Sequence, residues 1–155
     1  MTTWLFWGNP RDFDMNAYLQ PHRDLQWHVR QHLLMPEMHV GDRVFLWRSN
    51  GDMPGTAGIV ARGSLVGTVL IRPHSDFVTW LRRKPDPSIP TVLIRLDDIR
   101  LTARAGCLLR SELVQDAILR NLEIISKPTL TSCKLSAVQQ ERLEQVWEAR
   151  RVRDL

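Results

Sequence analysis

The run GDRVFLWRSNG at residues 41 to 51 ends in a tryptophan, an arginine, a serine and a turn. Those side chains can stack, pair with anions and donate hydrogen bonds, but they cannot break a bond by themselves. Elsewhere, residues suited to bond-making chemistry are poorly arranged. His28 and His32 are four apart, the spacing of two zinc ligands on one helix face, yet the glutamate of an HExxH helix is missing and His28 falls where a strand is equally expected. Cys107 and Cys133 form no CxxC pair, so neither a zinc site nor a disulfide framework is indicated. Asp97 and Asp98 are consecutive, which points them to opposite faces of a strand, a poor geometry for paired acid and base work. No GxSxG elbow, Walker loop or nucleophile beside a base occurs. The expectation is a binding protein that needs no metal or cofactor, not an enzyme.

A second candidate contact is the run Trp80, Arg82, Arg83 and Lys84, with one aromatic for stacking and three charges for phosphates. Charged loops are more often simply solvated. The net charge is +4 with a pI near 9.7, and 18 of the 21 basic side chains are arginine, whose planar fork suits phosphates and base edges. Base composition of the gene explains arginine richness equally well. The chain length of 155 residues, 43% hydrophobic, allows one full core, and a single domain over 1–155 is expected. No run approaches the roughly 18 to 20 apolar residues that span a bilayer, and the N-terminal MTTWLFWGNP lacks a cationic start followed by an apolar stretch. A cytoplasmic protein with reduced thiols and no membrane contact is the expectation.

The elements that must position these residues read as follows. WLFW at 4–7 is a strand stopped by GNP, and a short helix follows within 11–20. RVFLWRS alternates, with Val44 and Leu46 on one face and Phe45, Trp47 and Ser49 on the other. TAGIVARGSLVGTVLI at 56–71 mixes β-branched residues with Gly58, Gly63 and Gly67, as in a long strand that bends sharply. TVLIRLDDIRL at 91–101 is another strand, with Val92, Ile94 and Leu96 on one face, and the proline-bearing stretch before it reads as an exposed loop. Residues 107–119 have helical spacing with a cap at Ser111. In the last helix Ser136 and Gln139 make a capping box, and Val138, Leu143, Val146 and Trp147 make an apolar stripe. Together these predict an α+β domain on a small, mostly antiparallel barrel.

WLFWGNP, Trp27, VGDRVFLWRSNG, GIVARGSLVG and the late KPTLTSCKLSAVQQERL together resemble an EVE domain of the PUA-like superfamily, related to YTH and ASCH domains. The resemblance implies a PUA-like pseudo-barrel of mostly antiparallel strands with flanking helices. It also implies a modified base, methylated or hydroxymethylated cytosine or similar, flipped from DNA or RNA into an aromatic-walled pocket. By that likeness the pocket draws on Asn9, Trp27, Trp47 and Ser49.

The physical chemistry agrees with such a pocket. Aromatic planes stack on any base for about 1 to 3 kcal/mol and close a dry slot around an added methyl. Asn9 offers a donor and an acceptor and Ser49 a hydroxyl, matching the mixed edge of cytosine or adenine. Gly51, Gly55 and Gly58 would admit close backbone approach, and Arg48, Arg82, Arg83 and Lys84 would meet phosphates. Single strands or already weakened pairs should bind best. Each residue also has a plainer reading: Trp27 and Trp47 as core, and Asn9 and Ser49 as turn formers. The rival functions are a small ASCH-like hydrolase and a generic RNA-binding or protein-interaction module.

Overall fold

A computed structural model of the chain describes residues 1–20, 23–29, 32–70, 90–127 and 131–150. Trp80, Arg82, Arg83 and Lys84, with the loop expected around them, lie outside the described residues.

The strands β1 (Thr3–Gly8), β2 (Asp24–His28), β3 (Arg43–Arg48), β4 (Gly58–Leu70), β5 (Thr91–Ile99), β6 (Leu108–Leu109) and β7 (Ser132–Lys134) form one sheet in the order β2-β5-β4-β3-β1-β7, with β6 added to the start of β4. Among the described residues only β1 and β3 pair in parallel; the other pairings are antiparallel. Parallel neighbours need a crossover. Here it carries the helix α1 (Met15–Leu19), β2 and a 3-10 turn over His32–Glu37. The helix within 11–20 is therefore a single turn, started by Asp14, whose carboxylate accepts from the Ala17 N–H at 3.1 Å.

β1 is buried along its whole length because both its faces are covered. Trp4 and Phe6 enter one apolar cluster together with Val44, Leu46, Leu25, Trp27, Val92, Ile94 and Leu96, and this cluster fills the inside of the curl. Leu5 and Trp7 enter a second cluster with Phe45, Trp47, Ile59, Leu143 and Trp147, between the sheet and the helical layer. Burying both faces of a strand yields the near-continuous apolar runs WLFW and VFLW.

β4 bends because its register slips three times against β5, between Arg62 and Gly63, between Leu65 and Gly67, and between Gly67 and Leu70. At Gly63 the strands cross so closely that a β-carbon would strike the Arg95 carbonyl oxygen. The bending brings β2 round towards β1, so that Trp27 packs on Gly8 although the two strands stand far apart in the sheet order. The result is the curled half-barrel of an α+β fold that the resemblance implied.

The helical layer follows β6. The expected helix over 107–119 is instead β6, one turn α2 (Arg110–Leu113) and a 3-10 turn at Leu119–Asn121. Leu108 and Leu109 are drawn into pairing with Ile59 and Gly58, and no side chain caps α2, so the cap expected at Ser111 is absent. The 3-10 turn is held by Asp116, whose Oδ1 accepts from Ile118 and Leu119 at 3.0 Å each. After α3 (Glu123–Ser126) and β7, helix α4 (Ala137–Ala149) begins with the expected capping box: Ser136 Oγ accepts from Gln139 N, and Gln139 Oε1 accepts from Ser136 N. Leu143 and Trp147 are its buried face, whereas Val138, expected in that stripe, is 59% exposed.

Candidate nucleic-acid interface

Because β1 and β3 run parallel and in register from Thr3↔Arg43 to Gly8↔Arg48, both chains leave the sheet at the same end. This places Asn9 beside Ser49, and the Ser49 N–H donates to the Gly8 carbonyl at 2.9 Å. Both residues are half-buried. The Asn9 Oδ1 accepts from the Arg11 N–H at 2.9 Å and its carbonyl accepts from Asp12 N at 2.9 Å, so the residue turns the chain back towards the barrel. Phe13 and Met15 then point inward.

Trp27 reaches the same place from β2. Its side chain is 6% exposed, meets Phe13 edge-on with centroids 5.8 Å apart, and lies across Gly8. A β-carbon at position 8 would come within 3.1 Å of Trp27 Cζ2 and 3.2 Å of both Met15 Sδ and Phe13 Cε1. Glycine is thus what lets an indole lie on the strand. Trp27 therefore lies on Gly8, at the strand end from which Asn9 and Ser49 continue as backbone neighbours.

Trp47 is not brought to them. On β3 the parity of the pleat sends Val44 and Leu46 into the barrel with Trp27, and Phe45 and Trp47 to the other face, where Trp47 is 3% exposed among Trp7, Ala57 and Ile59. The expectation of two indoles walling one slot is corrected accordingly: the sheet stands between them, and Trp47 is a core residue of the helical side.

Arg48 is also placed differently from its expected role. It is 6% exposed, and its Nη1 donates to Asn16 Oδ1 at 3.0 Å and the Leu101 carbonyl at 2.8 Å while Nη2 donates to the Thr56 carbonyl at 3.0 Å. Burial lowers its pKa from the ordinary arginine value, against the opposing pull of Cys107. Both Nη atoms are held by α1 and by the connections after β3 and β5, while the buried Nε has no partner, so the guanidinium is turned into the protein and not towards a phosphate. Gly58, expected to admit a ligand, instead admits the Leu108 carbonyl of β6.

Sequence reasoning missed the way two connections support each other at this end. Gly51, at φ 58°, packs on Pro10, and Arg11 Nε pairs with Asp52 Oδ1 at 2.7 Å. Pro10 and the Asn50-Gly51 pair were visible as turn signals, but nothing in them says that the turns touch.

The acidic pair departs from the expectation of opposite faces: the register slip beside Gly63 skips Asp97, and both carboxylates are engaged on the α4 side, since Arg43 and Arg62 also pair with Glu144 and Trp147 belongs to α4. Asp97 accepts from Arg43 Nη1 and Arg62 Nε at 2.9 Å each, and Asp98 accepts from Arg100 and from Trp147 Nε1 at 3.1 Å. Among the described residues no three His, Cys, Asp or Glu side chains gather where a metal could be held, and no helix is long and apolar enough to cross a membrane.

The EVE domain profile matches residues 2–146. The fold is similar to a hypothetical protein from Leishmania major, at 18% identity, TM-score 0.70 and 96% coverage of each chain. It is similar to human THYN1 in complex with 5-methylcytosine-containing DNA, at 16% identity and TM-score 0.66, covering 96% of this chain and 98% of that one. It is similar too to the YTH domain of Zygosaccharomyces rouxii MRB1 in complex with N6-methyladenosine RNA, at 8% identity and TM-score 0.56, covering 94% and 87%. No protein of curated function matches the sequence. Such low identities speak for the fold, while the profile spans nearly the whole chain: the protein belongs to the EVE domain family.

Proposed function

We propose that this protein is a non-catalytic reader that receives a flipped, modified base of DNA or RNA at the end of β1 and β3, where Trp27 stacks on it and Asn9 and Ser49 read its edge. The supporting observation is an indole laid on Gly8 at the strand end from which Asn9 and Ser49, both half-buried residues, continue side by side. Family membership supports a nucleic-acid partner, as do similar folds determined with methylated DNA and with methyladenosine RNA.

Trp27 is covered edge-on by Phe13, so a base reaches the indole by displacing that ring. The loop that carries Phe13 is tied down by the Arg11–Asp52 pair, whose side chains are 53% and 83% exposed, and such pairs contribute under about 1 kcal/mol. Stacking on an indole contributes about 1 to 3 kcal/mol, enough to offset that movement. Asn9 keeps its Nδ2 for the ligand, since its Oδ1 already serves the turn. Arg82, Arg83 and Lys84 supply phosphate contacts in this reading, on the strength of their sequence alone.

The test is a titration of single-stranded oligonucleotides that differ in one base: cytosine, 5-methylcytosine, 5-hydroxymethylcytosine, adenine and N6-methyladenine. At least one modified strand is expected to bind about tenfold tighter than its parent, the discrimination a single added carbon gives in a fitted pocket. Trp27→Phe is expected to fold and to lose most of that preference. Equal binding of every strand, with steep salt dependence, would leave only a general polyanion binder.

A further inference from the structure

We infer that Met53, at the tip of the connection between β3 and β4, is a wedge that enters double-stranded nucleic acid and fills the gap left by the extruded base; the inference rests on the reading of the site just given. Met53 is 68% exposed. Among the described residues, the other large apolar side chains that stand out in solvent are Met1 at the chain start, Val40 before β3 and Val138 on α4, and none of these belongs to the connections after β1 and β3. Met53 does: its loop begins at Ser49, packs Gly51 on Pro10, and is paired through Asp52 to Arg11 of the Asn9 turn.

The loop is fastened well beyond what an exposed turn requires. The Met53 N–H donates to the Asn50 carbonyl at 3.0 Å, and Thr56 Oγ1 donates to the Met53 carbonyl at 2.6 Å. Asn50 Oδ1 accepts from Ala57 N at 2.9 Å, and the buried Arg48 guanidinium holds the Thr56 carbonyl at 3.0 Å. Gly51 and Gly55 take positive φ, at 58° and 81°, which closes the turn tightly. All of this fixes a backbone whose product is one apolar side chain held out in water.

A base taken out of a duplex leaves its neighbours unstacked, at a cost of a few kcal/mol per step. An apolar side chain that occupies the hole recovers part of that loss. Methionine is suited to it, being unbranched, polarizable and able to lie against aromatic faces. A single strand has no such hole, so the contribution of Met53 belongs to the duplex alone.

The test titrates the full chain with a duplex and with the matching single strand, each carrying the modified base the wild type prefers. Met53→Ser is expected to bind the duplex about tenfold more weakly, the equivalent of about 1.4 kcal/mol, to bind the single strand unchanged, and to melt at the wild-type temperature. Met53→Leu is expected to behave as wild type on both. Unchanged duplex affinity of Met53→Ser, equal weakening on both substrates, or a wild type that binds no duplex would each overturn the wedge. Where the wild type still prefers a modified single strand, only the wedge has then failed; a wild type without any modification preference removes the reading of the site beneath it.

Discussion

Trp27 and Trp47 carry the same indole, and the parity of their strands gives them different work. Trp47 shares its face of β3 with Phe45 and is covered by the helical layer, so removing it would open a cavity at a cost of about 3 to 5 kcal/mol with no specific effect on a ligand at the other face. Trp27 lies on Gly8 and meets Phe13 edge-on, on the face of the sheet away from the helical layer. A buried carboxylate shows the same dependence on setting. Asp42 accepts from Trp4 Nε1 at 2.9 Å and from the backbone of His39 and Thr2. Burial opposes its ionisation, but these donors prevail and hold its pKa below the ordinary 3.8. The unfolded chain then binds a proton at a higher pH than the folded one. The stabilisation is complete above the ordinary value and is lost as pH falls through the folded one. Asp42→Asn is expected to lower stability at neutral pH by about 1 to 3 kcal/mol and to flatten the fall in stability at acid pH; chemical denaturation at several pH values would show it. An unaltered acid slope in the variant would mean that the Asp42 charge is not what titrates.

At the scale of elements, β4 shapes the whole sheet. Its Gly63 passes so close to the Arg95 carbonyl that a methyl group would force the strands apart. Gly63→Ala is expected to cost about 1 to 3 kcal/mol, read as a lower urea midpoint, and an unchanged midpoint would contradict so close a crossing. The bend of β4 was legible in the spacing of Gly58, Gly63 and Gly67, β3 in its alternation and α4 in its capping box, since each signal is local. The stretch 107–119 misled because Leu108, Leu109, Leu113 and Leu119 have helical spacing, while pairing of the first two with β4 is a long-range event that overrides propensity. For the proposed site, Asn9, Ser49 and Trp27 were suggested by family likeness, and the adjacency of Asn9 and Ser49 follows from the parallel pairing of β1 and β3. The facing of Trp47 was not, because both sides of β3 are apolar and alternation alone does not tell which side the helices cover. The buried role of Arg48 was equally hidden: its partners are carbonyls, which a sequence does not display.

Across the whole molecule, α4 closes one face of the sheet. Arg62 reaches Glu144, Glu148 and Asp97, so its pKa is raised despite partial burial, and Arg100 lies 3.9 Å over the Trp147 ring while donating to Asp98. These contacts anchor the helix to β4 and β5 and fix the covered side of the sheet. The central proposal is that a modified base displaces Phe13 and stacks on Trp27 at the end of β1 and β3. Each of the six tryptophans gives one indole N–H signal in a 15N-labelled sample, and the signals can be followed as a methylated single strand is added. The account predicts a large shift of the Trp27 signal with the modified strand, a smaller one with the unmodified strand, and fixed Trp47 and Trp147 signals. A Trp27 signal that stays in place at saturation, or moves equally with both strands, would contradict it.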